Sequence, residues 1–123
     1  MINRKETGDF GENIARVFLE SKNYEIVAQN YRFMRREIDI IAKSGEYIVF
    51  IEVKTHTTAK FGIPAEKVNL NKQKHIISAA KGWLFENDTK LQPRFDVIEI
   101  YIKKDKNYVR HIENAFIITD NNR

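Results

Sequence analysis

The sequence predicts an α/β fold in which helices pack on a mixed sheet, and three observations carry that expectation. An amphipathic segment opens the chain, two Ile- and Val-rich segments flank Ser44-Gly45, and a second amphipathic segment leads into alternating ones. The first helix is expected over residues 9–22, where Phe10, Ile14, Val17 and Phe18 recur at helical spacing. Ala15 and Leu19 widen that arc, and Asn23 suits a C-terminal stop. Residues 24–30 read as a strand, followed by a basic segment over 31–36. Residues 37–42 and 47–53 form a hairpin around Ser44-Gly45, and 55–64 is a polar loop without periodicity. A second helix fits residues 71–87, with Ile76, Ile77, Ala80, Trp83 and Leu84 on its buried line. Residues 94–102 alternate as a strand, Asp105-Lys106-Asn107 turns, 108–112 is the last strand, and the tail Thr119-Asp120-Asn121-Asn122-Arg123 is expected to fray.

A chain of 123 residues fits one domain with a genuine core. The absence of cysteine excludes disulfides, zinc–thiolate centres, iron–sulfur clusters and thiol nucleophiles. No apolar run approaches the ~20 residues of a membrane helix, and the N-terminus lacks the apolar stretch of a signal peptide, so a cytoplasmic protein is expected. The net charge of +4 leans weakly towards a polyanionic partner. The cations gather at Arg32, Arg35 and Arg36, over residues 67–74, and over 103–106. Several acidic residues, by contrast, fall inside apolar segments, where solubility does not explain them.

The hairpin sharpens this. If Ser44-Gly45 is the turn, Lys43 faces Glu46 and Asp39 lies opposite Phe50, with Glu52 its diagonal neighbour ~7–8 Å away. Lys54 follows Glu52 by two and projects from the same face, while Glu37 lies across from Glu52. The other face receives Ile38, Ile40, Ala42, Tyr47, Val49, Ile51 and Val53. A slip of one residue would bury the charges, so the pattern supports the pairing. Like charges on neighbouring strands need an offset, and a hard divalent cation such as Mg²⁺ supplies one. Metal-assisted phosphodiester hydrolysis needs these carboxylates and a neighbouring lysine. An ordinary Glu52–Lys54 ion pair, with Asp39 accepting backbone hydrogen bonds, accounts for the same residues without catalysis.

Glu37-Ile38-Asp39-Ile40-Ile41-Ala42, followed by Val49-Phe50-Ile51-Glu52-Val53-Lys54-Thr55, resembles the PD-(D/E)xK nuclease signature. More closely, the chain resembles the YraN-like family of small bacterial proteins, related to Holliday-junction resolvases. Gly8-Asp9-Phe10-Gly11-Glu12, Asn30-Tyr31-Arg32, Phe61-Gly62-Ile63-Pro64, Lys72-Gln73-Lys74, Arg94-Phe95-Asp96-Val97 and Ile112-Glu113-Asn114-Ala115-Phe116 extend the match, in order, over nearly the whole chain. The resemblance implies a restriction endonuclease-like mixed sheet flanked by two main helices. It implies Asp39 and Glu52 as metal ligands, Lys54 as the catalytic lysine and Glu12 as a further acidic residue. The family usually has glycine where this chain has Arg36, and often arginine where it has His56.

Several residues keep two readings. Glu12 stands three after Asp9, as in a capping box, yet falls on the rim of the apolar arc, where it could face the sheet. Lys72 and Gln73 open the second helix, where a solvated turn and a phosphate-facing cleft are both open. His56 and His75 read as surface or substrate-contacting groups, and Asp96 as the structural partner of Arg94. Tyr31 and Phe33, set among arginines, are either core residues or base-stacking ones.

The expectation is a divalent-metal-dependent endonuclease acting on DNA rather than RNA, with branched or damaged DNA as candidate substrates. Asp39 and Glu52 would bind Mg²⁺, or Mn²⁺ in its place, with Lys54 and Glu12 completing the catalytic set. Arg32, Arg35, Arg36, His56, Lys72, Gln73 and Lys74 are the nucleic-acid-binding candidates, and a homodimer suits a substrate with paired strands. A non-catalytic nucleic-acid-binding module of the same fold is the alternative, and a protein-interaction domain a third.

Overall fold

The computed structural model describes residues 3–57 and 67–123, without the side chain of Arg4. Phe61-Gly62-Ile63-Pro64 and most of the expected polar loop lie outside the described residues. The described elements are α1 (Arg4–Ser21), β1 (Glu25–Phe33), β2 (Arg36–Ser44), β3 (Tyr47–His56), α2 (Leu70–Glu86), β4 (Gln92–Ile102) and β5 (Asn107–Phe116). The strands form one sheet in sequence order, antiparallel except for the parallel pair β3–β4, and α2 lies between those two in the chain. This is an α/β fold consistent with the restriction endonuclease-like arrangement. Among the described residues, no helix is long and apolar enough to cross a membrane.

The sheet buries both faces. Ile40, Ala42, Val49, Ile51, Ile98 and Ile100 pack under Ala15 and Leu19 of α1. Ile41, Ile48, Phe50, Phe95 and Val97 pack under Ile76, Ile77, Ala80 and Trp83 of α2. Residue parity therefore chooses between two helices, rather than between core and solvent as the sequence suggested. Close approach is built in at two glycines. A Cβ on Gly11 would stand 2.0 Å from Thr55 Oγ1, and one on Gly82 would stand 2.4 Å from the Phe33 ring.

Helix α1 starts earlier than expected because Asn3 caps it. The Asn3 side chain accepts from the Glu6 backbone N–H at 2.8 Å, and Glu6 accepts in return from the Asn3 N–H at 3.3 Å. The capping box is therefore Asn3/Glu6, and Asp9 and Glu12 lie inside the helix. The buried line runs through Gly11, Ala15 and Leu19, leaving Phe10 and Val17 exposed.

Three boundaries also move. The basic segment after β1 is a hairpin, with Met34 and Arg35 at its turn in left-handed conformations (φ 49° and 71°). The next turn is Gly45-Glu46, and Ser44 pairs with Tyr47, because Gly45 supplies the positive φ (56°) that a hairpin needs at its first turn position. The expected pairing was thus two residues out of register, which preserves parity. Finally, the tail is held rather than frayed: Asn122 is buried and donates to Gln73 Oε1 and to the Ile117 carbonyl, both at 2.8 Å.

Candidate functional site

The ladder between β2 and β3 ends at Ile40 and Ile51. One step further the Asp39 side chain takes over from the backbone: its Oδ2 accepts from the Val53 N–H at 2.8 Å. A strand N–H points along the sheet towards its neighbour, so this carboxylate lies between the strands instead of on one face. Continuing the register sets Asp39 level with Glu52 and Glu37 level with Lys54, closer than the diagonal relation expected.

The same rung is irregular on β1. Asn30, level with Asp39 in the β1–β2 register, adopts a left-handed conformation (φ 52°). Ile38 and Ile40 pack in opposite clusters although they are two residues apart, so β2 loses its alternation at this rung. Ile38 consequently lies under α2, not with Ile40 as the sequence suggested.

Glu12 reaches the same rung from α1. It lines an open pocket of about 850 Å³ with Asp39, Glu52, Thr7, Thr55 and Thr57. With its amide nitrogen turned to the carboxylates, Asn30 donates to Glu12 Oε1 at 2.8 Å and to Glu37 Oε1 at 2.9 Å. Burial, followed by the charges of Asp39, Glu37 and Asp9, pushes the Glu12 carboxyl up to about 7, against the pull of the Asn30 hydrogen bond. Burial likewise pushes Asp39 up to about 6; the Val53 bond lowers it, while Glu52 and Glu37 raise it further. Glu52 Oε1 lies 3.4 Å from Lys72 Nζ at the start of α2, but Glu52 Oε2 is buried without a hydrogen-bond partner. A buried carboxylate oxygen normally has a partner.

These are the hard oxygen donors that a divalent cation takes, although among the described residues it is Asp96, His111 and Glu113 that bring three ligand atoms within 4.8 Å of one another. Asp39 keeps the oxygen not bonded to Val53, and Glu52 keeps its unpartnered one, with Glu12 nearby.

The other predicted residues divide. Lys72 reaches the carboxylates. Lys54, half-buried, stands two beyond Glu52 on β3, outside the residues lining the pocket, and makes no ion pair among the described residues. Its β4 neighbour in register, Glu99, is engaged by Arg110 and His56. Arg32 is mostly exposed and pairs with Glu37 at 3.4 Å, and Arg35 occupies the exposed hairpin turn. Arg36 is half-buried three residues before Asp39, with its Nε unpartnered. Lys74 is exposed on α2. The Gln73 amide is used structurally, donating to the Val68 carbonyl at 2.7 Å and accepting from Asn122. Tyr31 and Phe33 pack against the α2 cluster, and the Tyr31 hydroxyl donates to Glu86.

Sequence reasoning missed Asn30, Glu99 and Arg110. Asn30 stood in a quoted motif, and asparagine is among the few residues that tolerate left-handed backbone; that was the available signal. Glu99 stood in an apolar run, Val97-Ile98-Glu99-Ile100, which marks a carboxylate in need of a partner.

Residues 11–100 match the profile of an uncharacterised protein family, UPF0102. A UPF0102 protein of Clostridioides difficile is 46% identical over 116 residues, covering 94% of this chain and 100% of the relative. Relatives in Caldanaerobacter subterraneus and Chlorobaculum tepidum are 42% and 47% identical, covering 94% and 92% of this chain and 98% and 93% of their own lengths. The family profile and these full-length relatives agree with the resemblance seen in the motifs: the chain belongs to the UPF0102, or YraN-like, family.

Proposed function

We propose that this protein hydrolyses phosphodiester bonds in DNA with the help of a divalent cation, Mg²⁺ or Mn²⁺. The observation that carries the reading is the convergence of Glu12, Asp39 and Glu52, from three separate elements, on one open pocket whose carboxylates lack enough internal cations. Asp39 and Glu52 would hold the cation, which when bound supplies Lewis-acid stabilisation of a phosphoryl oxygen. Glu12, whose carboxyl is pushed up to about 7, is suited to exchange a proton near neutral pH. Lys54 is free of an ion pair among the described residues and can turn its ammonium to the negative charge that grows on the phosphate. Lys72, already at Glu52, can shift to a phosphate oxygen.

Cleavage of a panel of labelled duplex, flap, junction and single-stranded DNA, with Mg²⁺ or Mn²⁺, tests the proposal. Activity with at least one substrate is expected, removed by a chelator and by Asp39→Asn while binding persists. Equal activity in Asp39→Asn would expose a contaminant. Salt-sensitive binding without cleavage of any substrate would instead establish the non-catalytic nucleic-acid-binding module.

A further inference from the structure

The rank of side chains that carries Lys54 continues across the sheet as cations fixed on a buried carboxylate. In the registers of β3, β4 and β5, Lys54, Glu99 and Arg110 stand side by side, and His56 and Tyr101 occupy the next rank. Register partners share a face, so these groups belong to the face that carries Glu52. Glu99 is only 2% exposed. Its Oε1 accepts from Arg110 Nε at 2.8 Å, and its Oε2 lies 3.2 Å from His56 Nε2. Arg110 Nη2 donates to the Tyr101 hydroxyl at 2.8 Å, and the His56 ring stacks on Tyr101 with centroids 4.7 Å apart. Both side chains are thereby held in one geometry while staying about a quarter exposed (Arg110 26%, His56 24%).

A carboxylate out of water needs one cationic partner, and Arg110 alone meets that need. His56 and Lys54 are additional. With His56 neutral, Lys54 and Arg110 against Glu99 still leave an excess of one positive charge. The pocket that Glu52 shares with the α1 side has the opposite character, since Glu12, Asp39 and Glu52 line it and would repel a polyanion. A backbone approaching those carboxylates needs a cationic rail beside them. Along β3, His56 lies ~13 Å beyond Glu52, within reach of phosphates flanking the one at the pocket.

We infer that Arg110 and His56, anchored on Glu99 and stacked on Tyr101, form a phosphate subsite holding the DNA backbone beside the reacting bond. The assignment rests on the phosphodiesterase reading for its substrate class, but its test is a binding measurement. Anisotropy of a fluorescein-labelled DNA duplex, titrated with the full chain free of metal over a salt series, reads both affinity and salt slope. Arg110→Gln and His56→Ala are each expected to weaken binding on the order of fivefold, and Arg110→Gln to lower the slope of log K against log salt by about one. Removing Arg110 alone strands Glu99, so the paired change Glu99→Gln with Arg110→Gln keeps the fold testable, with circular dichroism melting as the check. Folded variants that bind with unchanged affinity and slope would overturn the subsite, as would a wild-type protein that binds no DNA at low salt. A wild-type protein that cleaves nothing, yet loses binding in these variants, would remove the phosphodiesterase reading and leave the subsite standing.

Discussion

Two pockets of about 850 Å³ occupy opposite ends of this sheet, and both are built around carboxylates. At the Tyr47 end of β3, Arg94 donates to both Asp96 oxygens (2.9 and 2.8 Å), His111 Nε2 lies 2.7 Å from Asp96 Oδ2, and the Asn114 N–H adds a bond at 3.0 Å. Asp96, His111 and Glu113 have the spacing of a metal centre. Arg94, however, lies 3.5 Å from Glu113 as well, so its guanidinium already serves as the cation. Burial, the largest influence on Asp96, would raise its carboxyl, yet the bonds from His111, Arg94 and Asn114 hold it below its ordinary value. At the other end, burial and mutual repulsion push Glu12 and Asp39 up, and Lys72 is the single cation that pairs with Glu52 among the described residues. Internal neutralisation marks a structural cluster; its absence marks a place prepared for a charge from outside.

Breaking the neutralised cluster should have the largest effect. Arg94→Met is expected to cost about 3–5 kcal/mol of stability, because Asp96 would stay buried without its guanidinium, keeping only the His111 and Asn114 contacts. Chemical denaturation measures it, and a loss under 1 kcal/mol would mean that Arg94 is not the balancing cation. At the open pocket, Lys54→Ala is expected to lower the rate of DNA cleavage on the order of 10²–10³-fold with little change in melting temperature. The third test reverses the usual direction of a mutation. Glu12→Gln should raise the melting temperature of the metal-free protein at pH 8 by about 3–6 °C, the shift that ~1 kcal/mol produces in a domain of this size. An unchanged or lower value would show that the carboxylates do not repel one another.

The pH dependences should also oppose each other. Glu12 and Asp39 have folded values raised above the unfolded ones, so the native state holds more protons across that interval. Their contribution is fully present below about pH 4 and is lost as pH rises to about 7. Asp96 is lowered, so its contribution is present above its unfolded value of 3.8 and is lost as pH falls below it. Melts of the metal-free protein between pH 4 and 8 should therefore show a decline that Glu12→Gln flattens and that added Mg²⁺ offsets at the upper end. A decline equally steep in Glu12→Gln would assign it elsewhere.

Much of the open pocket was legible because hairpin parity survives a register error of two. Gly45 can serve as the first or the second turn residue, and either choice sends Asp39 and Glu52 to the same region. The cap was not legible: Asn3/Glu6 and Asp9/Glu12 have the same spacing, and apolar periodicity does not choose between them. The elements with strong apolar periodicity, α2 and β4, came out within two residues at each boundary. The tail did not, because a single amide, Asn122, orders it through Gln73, and no periodicity announces one side-chain contact. The Asn30 rung was hidden for a similar reason, since a left-handed residue inside a strand interrupts the very alternation used to read it.

That rung restricts what can stand at position 30. Glycine would accept the left-handed backbone but would remove both donors to Glu12 and Glu37. Aspartate tolerates the backbone, yet would add a further negative charge to an already crowded group. Glutamine keeps the amide, but carries it on a longer stem without a local hydrogen bond to favour that φ. Asparagine combines a short neutral donor with tolerance of the kink, so one side chain both fits the left-handed rung and quiets the carboxylates beside it.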